Sequence, residues 1–260
     1  MKKVLVTGAG TGLGKLMAIA LAKAGNQVIA SVYAVSEIES LKEFAVKQNV
    51  NLTVEKLDIS NAEDRERAAT WNVDVLINNA GIAETGPLAE IPMEHFKRNF
   101  EINVFSALAL TQSIIQNMVK SNIAGQIIFI SSVAGLITKA LTGPYCATKH
   151  AIEAMAEVLS EELKDYNIKV TVVNPGPYDT GFNDAQMLEM KKWYDPKKNF
   201  TQLTEDSFKF PLEQYSPEEL IERIVKVVSG EVKLFRNLLP ESFVDIVKDY
   251  QADLWVKENN

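Results

Sequence analysis

The sequence predicts an α/β fold in which a doubly wound parallel sheet is covered by helices on both faces, within a single domain. Short β-branched runs alternate with helical patterns along most of the chain. Runs such as "VLV", "VLI" and "IIFI" are continuously apolar, which is typical of strands buried on both faces. No Gly/Ser/Pro-rich linker divides the 260 residues. Strand and helix in alternation then favour right-handed crossovers and one doubly wound sheet.

The predicted strands share this apolar character, and they are Lys3–Thr7, Gln27–Val32, Leu52–Leu57, Val73–Ile77, Gln126–Ser131 and Lys169–Val173. Helical patterns lie between them, near residues 14–24, 36–48, 61–69, 92–120 and 145–165. Residues from about 181 to 215 have weak periodicity, and so long a segment is either a functional lid or partly disordered. A further helix should follow, with Ser216 as N-cap, Pro217 in its first turn and Gly230 as its stop. A short strand near 232–239 and a helix near 241–257 complete the prediction.

Composition excludes several classes of function. The net charge is −7, and no block of like charge stands out, so binding to nucleic acid is not expected. One cysteine, Cys146, and two histidines, His95 and His150, predict neither a disulfide framework nor a metal site. The N-terminus lacks the apolar run of a signal peptide, and no segment is apolar enough to span a membrane. A cytoplasmic protein with no membrane partner is therefore expected.

The first strand leads into a glycine-rich turn in "VLVTGAGTGLGKLMAIALAKAG". Gly8, Gly12 and Gly14 allow a tight turn and a close approach of the backbone to a ligand. The helix that follows directs its N-terminal N–H groups at an anion such as a phosphate. An ordinary strand-to-helix turn that happens to be rich in glycine is the alternative.

Polar residues follow two other buried strands. Asn79 and Gly81 end the strand in "VDVLINNAGI", and Ser132 ends the strand in "IIFISSVAG". Tyr145 comes 13 residues after Ser132, and Lys149 lies four residues further on, so that both side chains share one helical face. The pair is either a surface pair at a helix start or a proton-transfer pair.

The ordered set of motifs over residues 3–180 resembles the short-chain dehydrogenase/reductase family, in its single-domain branch. The shared features are the pattern TGxxxGxG, NNAG, an Asn within an apolar helix, a Ser and YxxxK. The resemblance implies a Rossmann-like sheet and a nicotinamide dinucleotide as cofactor. It implies the catalytic residues Asn103, Ser132, Tyr145 and Lys149. It implies as cofactor-binding residues Thr7, Gly8, Gly12, Leu13, Gly14, Tyr33, Asp58, Asn79, Ala80, Gly81, Tyr145, Lys149, Pro175, Gly176 and Thr180.

Hydride transfer to a carbonyl requires a proton at the oxygen. A free tyrosine has a pKa of about 10, and a neighbouring ammonium lowers that pKa by favouring the phenolate. We therefore expect Lys149 to lower the pKa of Tyr145, which would act as general acid in reduction and general base in oxidation. Ser132 would orient the substrate oxygen. The resemblance further implies that Lys149 binds the nicotinamide ribose and that Asn103 supports a water in a proton relay.

The sequence leaves the choice between NAD and NADP open. An acidic residue at the end of the second strand would bind the ribose 2′-OH and repel a 2′-phosphate, and an arginine would do the opposite. Val32 and Tyr33 occupy the expected positions, and neither is charged. Asp58 resembles the family's contact to the adenine amine, which does not discriminate between the two cofactors.

The substrate is expected to be a lipophilic or bulky secondary alcohol, ketone or aldehyde. Apolar side chains that could line its pocket are Leu136, Ile137, Leu141, Phe182, Met187, Met190, Trp193, Tyr194, Phe200, Phe208 and Phe210. Packing of these side chains onto the body is the alternative. Other candidate functions are a dinucleotide-sensing protein without turnover, and an epimerase or dehydratase that uses bound cofactor. The family resemblance also implies a homodimer or homotetramer formed through the long helices.

Overall fold

The computed structural model describes residues 1–258, whose seven strands form one parallel sheet in the order β3-β2-β1-β4-β5-β6-β7. The strands are β1 (Lys3–Val6), β2 (Gln27–Val32), β3 (Thr53–Lys56), β4 (Val75–Asn78), β5 (Gln126–Ile130), β6 (Lys169–Pro175) and β7 (Arg236–Leu239). The order reverses at β1, which is the arrangement of a doubly wound sheet. The predicted fold class is confirmed.

Helices cover both faces of the sheet. They are α1 (Gly12–Lys23), α2 (Ser36–Lys47), α3 (Ala62–Ala69), α4 (Met93–Phe100), α5 (Ala107–Lys120), α6 (Gly143–Glu162), α7 (Phe182–Glu189), α8 (Glu218–Ser229) and α9 (Phe243–Leu254). Val4 and Val6 of β1 belong to a core built with α1, α2 and α8. Leu5 faces the opposite core, which α3, α5 and α6 complete. This alternation explains why the strands are apolar at every position.

The predicted helix over 92–120 is interrupted. Its first part, α4, leads into a π-helical turn at Glu101–Ser106, and α5 follows directly. Asn103 lies within this turn and is 2% exposed. A turn of π-helix inserts one wide turn into a helix and is often found at functional sites.

Other boundaries differ from the predictions by a few residues. Helix α8 begins at Glu218, directly after Pro217, whose backbone already has near-helical angles of φ −74° and ψ −1°. Gly230 ends this helix with φ of 85°, as predicted. Residues 181–215 contain helix α7 and two short 3-10 turns, at Met190–Lys192 and Glu205–Phe208.

Candidate active site

A cavity of about 920 Å³ follows the carboxyl ends of the strands, where ligands bind in open α/β sheets. Most residues that the sequence predicts for a site line this cleft. They are Gly8, Gly12, Leu13, Gly14, Tyr33, Asp58, Asn79, Ala80, Gly81, Ser132, Tyr145, Lys149, Pro175, Gly176 and Thr180. Thr7 and Asn103 do not line it, and both lie behind its wall.

The glycine turn forms a cradle with no room for side chains. Gly8 has a φ of 64°, and a Cβ atom there would lie 2.8 Å from the Cα atom of Ala80. A Cβ atom on Gly14 would collide with the carbonyl oxygen of Gly8 and with Nδ2 of Asn79. Helix α1 begins at Gly12, so its unpaired first-turn N–H groups open toward the cleft. These features fit a dinucleotide pyrophosphate.

Thr7 holds the glycine turn against the end of β4. Its Oγ1 atom donates to the carbonyl oxygen of Ile77 and accepts from the N–H groups of Asn79 (2.9 Å) and Ala80 (3.0 Å). Nδ2 of Asn79 donates in turn to the carbonyl oxygens of Thr7 (2.8 Å) and Gly8 (3.1 Å). Thr7 is 1% exposed, so it shapes the cradle from behind and does not reach a ligand.

Asn103, in the π-helical turn, also holds the segment after β4 through hydrogen bonds to its backbone. Its Oδ1 atom accepts from the N–H of Ile82 (2.8 Å), and its Nδ2 atom donates to the carbonyl oxygen of Ile82 (2.8 Å). The same Nδ2 atom donates to Oγ1 of Thr148 at 3.1 Å. The side chain therefore ties helix α6 and the segment after β4 to the π-helical turn.

Tyr145 and Lys149 project from the first two turns of α6, which begins next to Pro144 as predicted. The two side chains are 9% and 7% exposed. Nζ of Lys149 lies 5.5 Å from the centre of the Tyr145 ring and donates to the carbonyl oxygen of Ile130 at 2.8 Å. Ser132 lies at the end of β5 in the same cleft and accepts from the N–H of Ala134 at 3.1 Å. The pair is therefore buried and is not a surface pair.

The expected lowering of the pKa of Tyr145 is wrong for the protein alone. Burial raises the pKa of the Tyr145 phenol well above its ordinary value, and the hydrogen bond with Ser132 opposes that shift only in part. Burial also lowers the pKa of Lys149 to about 8, while the negative charge of Glu153 acts in the opposite direction. Desolvation of both groups thus exceeds the effect of their proximity.

A polar network that the sequence motifs do not indicate lies beneath Ser132 and Lys149. Glu153 follows Lys149 by one helical turn and is 7% exposed. Its carboxylate pairs with Arg236 of β7 and accepts from Nδ2 of Asn174 at 2.6 Å. The Asn174 amide also donates to the carbonyl oxygen of Ser132 at 3.1 Å. No motif signals this network, because its members come from α6, β6 and β7.

The apolar wall of the cleft is smaller than predicted. Ile137, Phe182 and Phe210 line it, together with Leu212. The rings of Phe182 and Tyr145 lie 5.9 Å apart. The other predicted pocket residues do not line the cleft; these are Leu136, Leu141, Met187, Met190, Trp193, Tyr194, Phe200 and Phe208. Met187 and Met190 are instead buried and do not line the cleft, which corrects the prediction.

Comparisons with known proteins agree with this geometry. A family model described as short chain dehydrogenase matches residues 2–191. The NADPH-dependent 3-dehydrocapnine reductase of Ornithobacterium rhinotracheale is 32% identical over 188 residues, covering 69% of this chain and 66% of that protein. L-xylulose reductase of Homo sapiens is 30% identical over 220 residues, covering 84% of each. A crystal structure of a short chain dehydrogenase/reductase from Burkholderia phymatum, in complex with NAD, has a TM-score of 0.83 at 21% identity. It covers 99% of this chain and 95% of that one, and its likeness shows the fold alone.

The chain therefore belongs to the short-chain dehydrogenase family. The predictions of the family and of the Rossmann-like fold are confirmed. The match spans 66% of the length of the reductase from Ornithobacterium rhinotracheale, just under two thirds. The particular reaction and the roles of single residues consequently belong to the proposal below.

Within residues 1–258, no helix combines the length and the apolar character needed to cross a membrane. The same residues contain no cluster of three or more His, Cys, Asp or Glu side chains suited to a metal ion. The cytoplasmic location and the absence of a nucleic-acid partner stay predictions.

Proposed function

We propose that this protein transfers a hydride between a nicotinamide dinucleotide and a secondary alcohol, ketone or aldehyde, with Tyr145 as general acid and base. The observation that carries the proposal is the convergence of Ser132, Tyr145 and Lys149 with the glycine cradle in one cleft. A protein that only senses a dinucleotide needs the cradle but has no use for the three polar side chains opposite it.

Each of the three side chains has a task that follows from its position. The Ser132 hydroxyl donates a hydrogen bond to the substrate oxygen and directs that oxygen toward Tyr145. Tyr145 gives its phenolic proton to the oxygen during reduction and takes it back during oxidation. The bound dinucleotide supplies the hydride and, when oxidised, a positive charge. Lys149 stabilises the phenolate and binds the ribose hydroxyls, and its carbonyl contact on β5 keeps the ammonium in place.

The proposed substrate is lipophilic or bulky. Phe182, Phe210, Leu212 and Ile137 give the substrate side of the cleft an apolar wall, and Phe182 lies directly beside the reacting Tyr145. Burial of apolar substrate surface against this wall contributes about 25 cal/mol per Å². We propose that residues 181–215, which carry Phe182, Phe210 and Leu212, act as a substrate lid over the site.

Glu90 anchors this segment to the body. Its carboxylate accepts from Nδ2 of Asn199 and from the N–H groups of Phe200 and Thr201 at 2.7–3.0 Å. Desolvation raises the pKa of Glu90, but these hydrogen bonds together outweigh it and hold the pKa below its ordinary value. One carboxylate therefore fixes the middle of the lid, and Tyr215 at its C-terminal end makes backbone hydrogen bonds with Pro177 and Asp179.

Tyr145→Phe tests the general acid and base. The variant keeps the ring and should bind dinucleotide normally, while kcat falls by about 10²- to 10⁴-fold because the proton donor is absent. The assay follows the reduced nicotinamide by absorbance with both dinucleotides and a panel of ketones and aldehydes. Tyr166→Phe, which alters an exposed tyrosine in the short turn after α6, is the matched control. A Tyr145→Phe variant with most of its activity would contradict the assignment.

The same assay on the unaltered protein separates the alternatives. Dinucleotide binding without turnover of any substrate would favour the sensing protein. Redox-neutral conversion of a substrate with no net change in the nicotinamide would favour the epimerase or dehydratase.

We propose a homodimer or homotetramer as the assembly. Phe105 of the π-helical turn and Val158 of α6 are 57% and 55% exposed, although both are large apolar residues. Light scattering after size-exclusion chromatography would give the mass, and a monomer at micromolar concentration would contradict the proposal.

A further inference from the structure

A carboxylate from helix α2 reaches the end of the cleft that lies beyond the glycine turn. Glu37 lines the cleft although it is not part of β2. Its Oε2 atom accepts from the N–H of Ala34 at 2.8 Å, which fixes the side chain in place. Its Oε1 atom lies directly against Gly10, where a Cβ atom would collide with the carboxylate.

This contact explains a glycine that the family pattern does not require. Gly10 occupies one of the variable positions of TGxxxGxG, and its φ does not lie in the positive range, unlike those of Gly8 and Gly12. The backbone turn therefore does not demand glycine at this position. Because Gly10 has no side chain, there is instead room for the carboxylate of Glu37 beside the glycine turn.

The charges that line the cleft are divided between its two ends. Five charged residues line it among those that the structure describes. Glu37 and Asp58 lie near the ends of β2 and β3, whereas Lys149, Arg98 and Lys139 lie on the side of α4, α6 and the loop after β5. Three strand spacings of about 4.8 Å separate β2 from β5. The end at β2 thus presents negative charge alone.

Lys15, a basic residue in the first turn of α1, does not alter this balance. Nζ of Lys15 lies 4.6 Å from the centre of the Phe44 ring, in a cation–π contact on α2. Lys15 does not line the cleft. The Lys15 ammonium therefore packs on the Phe44 ring of α2 and is not placed to bind a ligand phosphate.

In a doubly wound sheet, the pyrophosphate lies at the N-terminus of the first helix and the adenosine ribose lies toward the end of the second strand. A carboxylate there accepts hydrogen bonds from the ribose hydroxyls and repels a 2′-phosphate. We propose that Glu37 supplies this carboxylate from α2, in place of the uncharged Val32 and Tyr33, and that the protein selects NAD(H) over NADP(H). The inference rests on the dinucleotide site of the proposed function and names its preferred ligand.

Titration calorimetry with NAD⁺ and NADP⁺ tests the selectivity without any need for turnover. We expect the unaltered protein to bind NAD⁺ at least about tenfold more tightly, because a carboxylate opposes the added phosphate charge. Glu37→Gln keeps an oxygen for the Ala34 N–H and removes the charge. This variant should reduce the ratio of the two dissociation constants by about tenfold, mainly through tighter binding of NADP⁺.

Two further variants sharpen the test. Glu39→Gln removes an exposed carboxylate from the same helix and should leave the ratio unchanged. Gly10→Ala should displace the carboxylate and weaken NAD⁺ binding by severalfold. Circular dichroism and thermal unfolding establish that each variant is folded, and the conservative Glu37→Gln change decides the matter if Gly10→Ala fails to fold.

The outcomes separate this inference from the proposed function. Tighter binding of NADP⁺ by the unaltered protein, or an unchanged ratio in folded Glu37→Gln, would overturn the role of Glu37 while leaving hydride transfer intact. Selective binding of NAD⁺ without turnover would support Glu37 and overturn the enzyme. Binding of neither dinucleotide would overturn both.

Discussion

Replacing Lys149 by methionine should make the protein inactive and yet change its stability in a defined, pH-dependent way. Burial lowers the pKa of Lys149 from 10.5 to about 8. At about 1.4 kcal/mol per unit, keeping the ammonium charged in the folded protein costs about 3 kcal/mol near neutral pH. Methionine removes this cost, but it leaves the buried carbonyl of Ile130 without its donor, at a cost of about 1–3 kcal/mol.

The sign of the pH dependence follows from proton counts. Between the folded and unfolded pKa values the unfolded chain binds more protons at Lys149, so that its contribution to stability rises with pH. From about pH 7.5 to about pH 9.5, the free energy of unfolding of the unaltered protein should gain about 2 kcal/mol relative to Lys149→Met. Subtracting the free energy of unfolding of Lys149→Met from that of the unaltered protein removes the contribution of ionisable groups that both proteins share.

Urea unfolding at several pH values, followed by circular dichroism, measures this difference. Lys42→Met, in which an exposed lysine of α2 is replaced, should give a constant difference over the same range. Equal pH dependence in the unaltered protein and Lys149→Met would refute the reasoning, because it would mean that the folded protein does not depress the pKa of Lys149.

Three other changes test the surroundings of the site. Glu153→Gln should lower the free energy of unfolding by about 1–3 kcal/mol in urea titrations, since a buried charged acceptor is lost. The same variant should reduce kcat more than it raises the KM for dinucleotide. Unchanged kinetic constants would mean that Glu153 has only a structural role. Glu90→Gln should speed limited proteolysis near residues 199–201 and raise the KM for substrate severalfold, whereas an unchanged cleavage rate would contradict its role as the lid anchor. Asn103→Ala should lower the free energy of unfolding by about 2–4 kcal/mol, because three hydrogen bonds that hold Ile82 and Thr148 are lost. A decrease of less than about 0.5 kcal/mol would show that the segment after β4 keeps its position without Asn103.

The site residues that could be predicted from the sequence are those whose position is fixed by the single strand or helix to which they belong. Ser132 follows a strand end, and Tyr145 and Lys149 lie one turn apart on one helix, so that their common placement needs only the strand order of a doubly wound sheet. Glu37 could not be predicted in this way. Its carboxylate meets Gly10 because α2 lies beside the glycine turn, and no local pattern in the sequence indicates which residue of α2 faces that turn.

The same distinction explains the errors on the substrate side. The apolar character of Met187 and Met190 predicts burial, but it does not tell whether the buried face of α7 meets a ligand or the body of the protein. Both side chains are buried and neither lines the cleft, whereas Phe182, the first residue of α7, lies beside Tyr145. Aromatic content alone therefore overestimated the apolar wall.

Thr7 and Asn103 indicate how the motif residues divide their work. Both were expected at the site, and both lie behind the wall of the cleft. Thr7 accepts hydrogen bonds from the N–H groups of Asn79 and Ala80, while Asn103 accepts from the N–H group of Ile82 and donates to its carbonyl oxygen. The segment from Asn79 to Ile82 is thus held by buried polar side chains from two directions, and its open face is left to the ligand. Because buried polar groups require partners, loss of either anchor exposes the backbone of this one segment to rearrangement. The end of β4 is accordingly held by two buried polar side chains that lie behind the wall of the cleft.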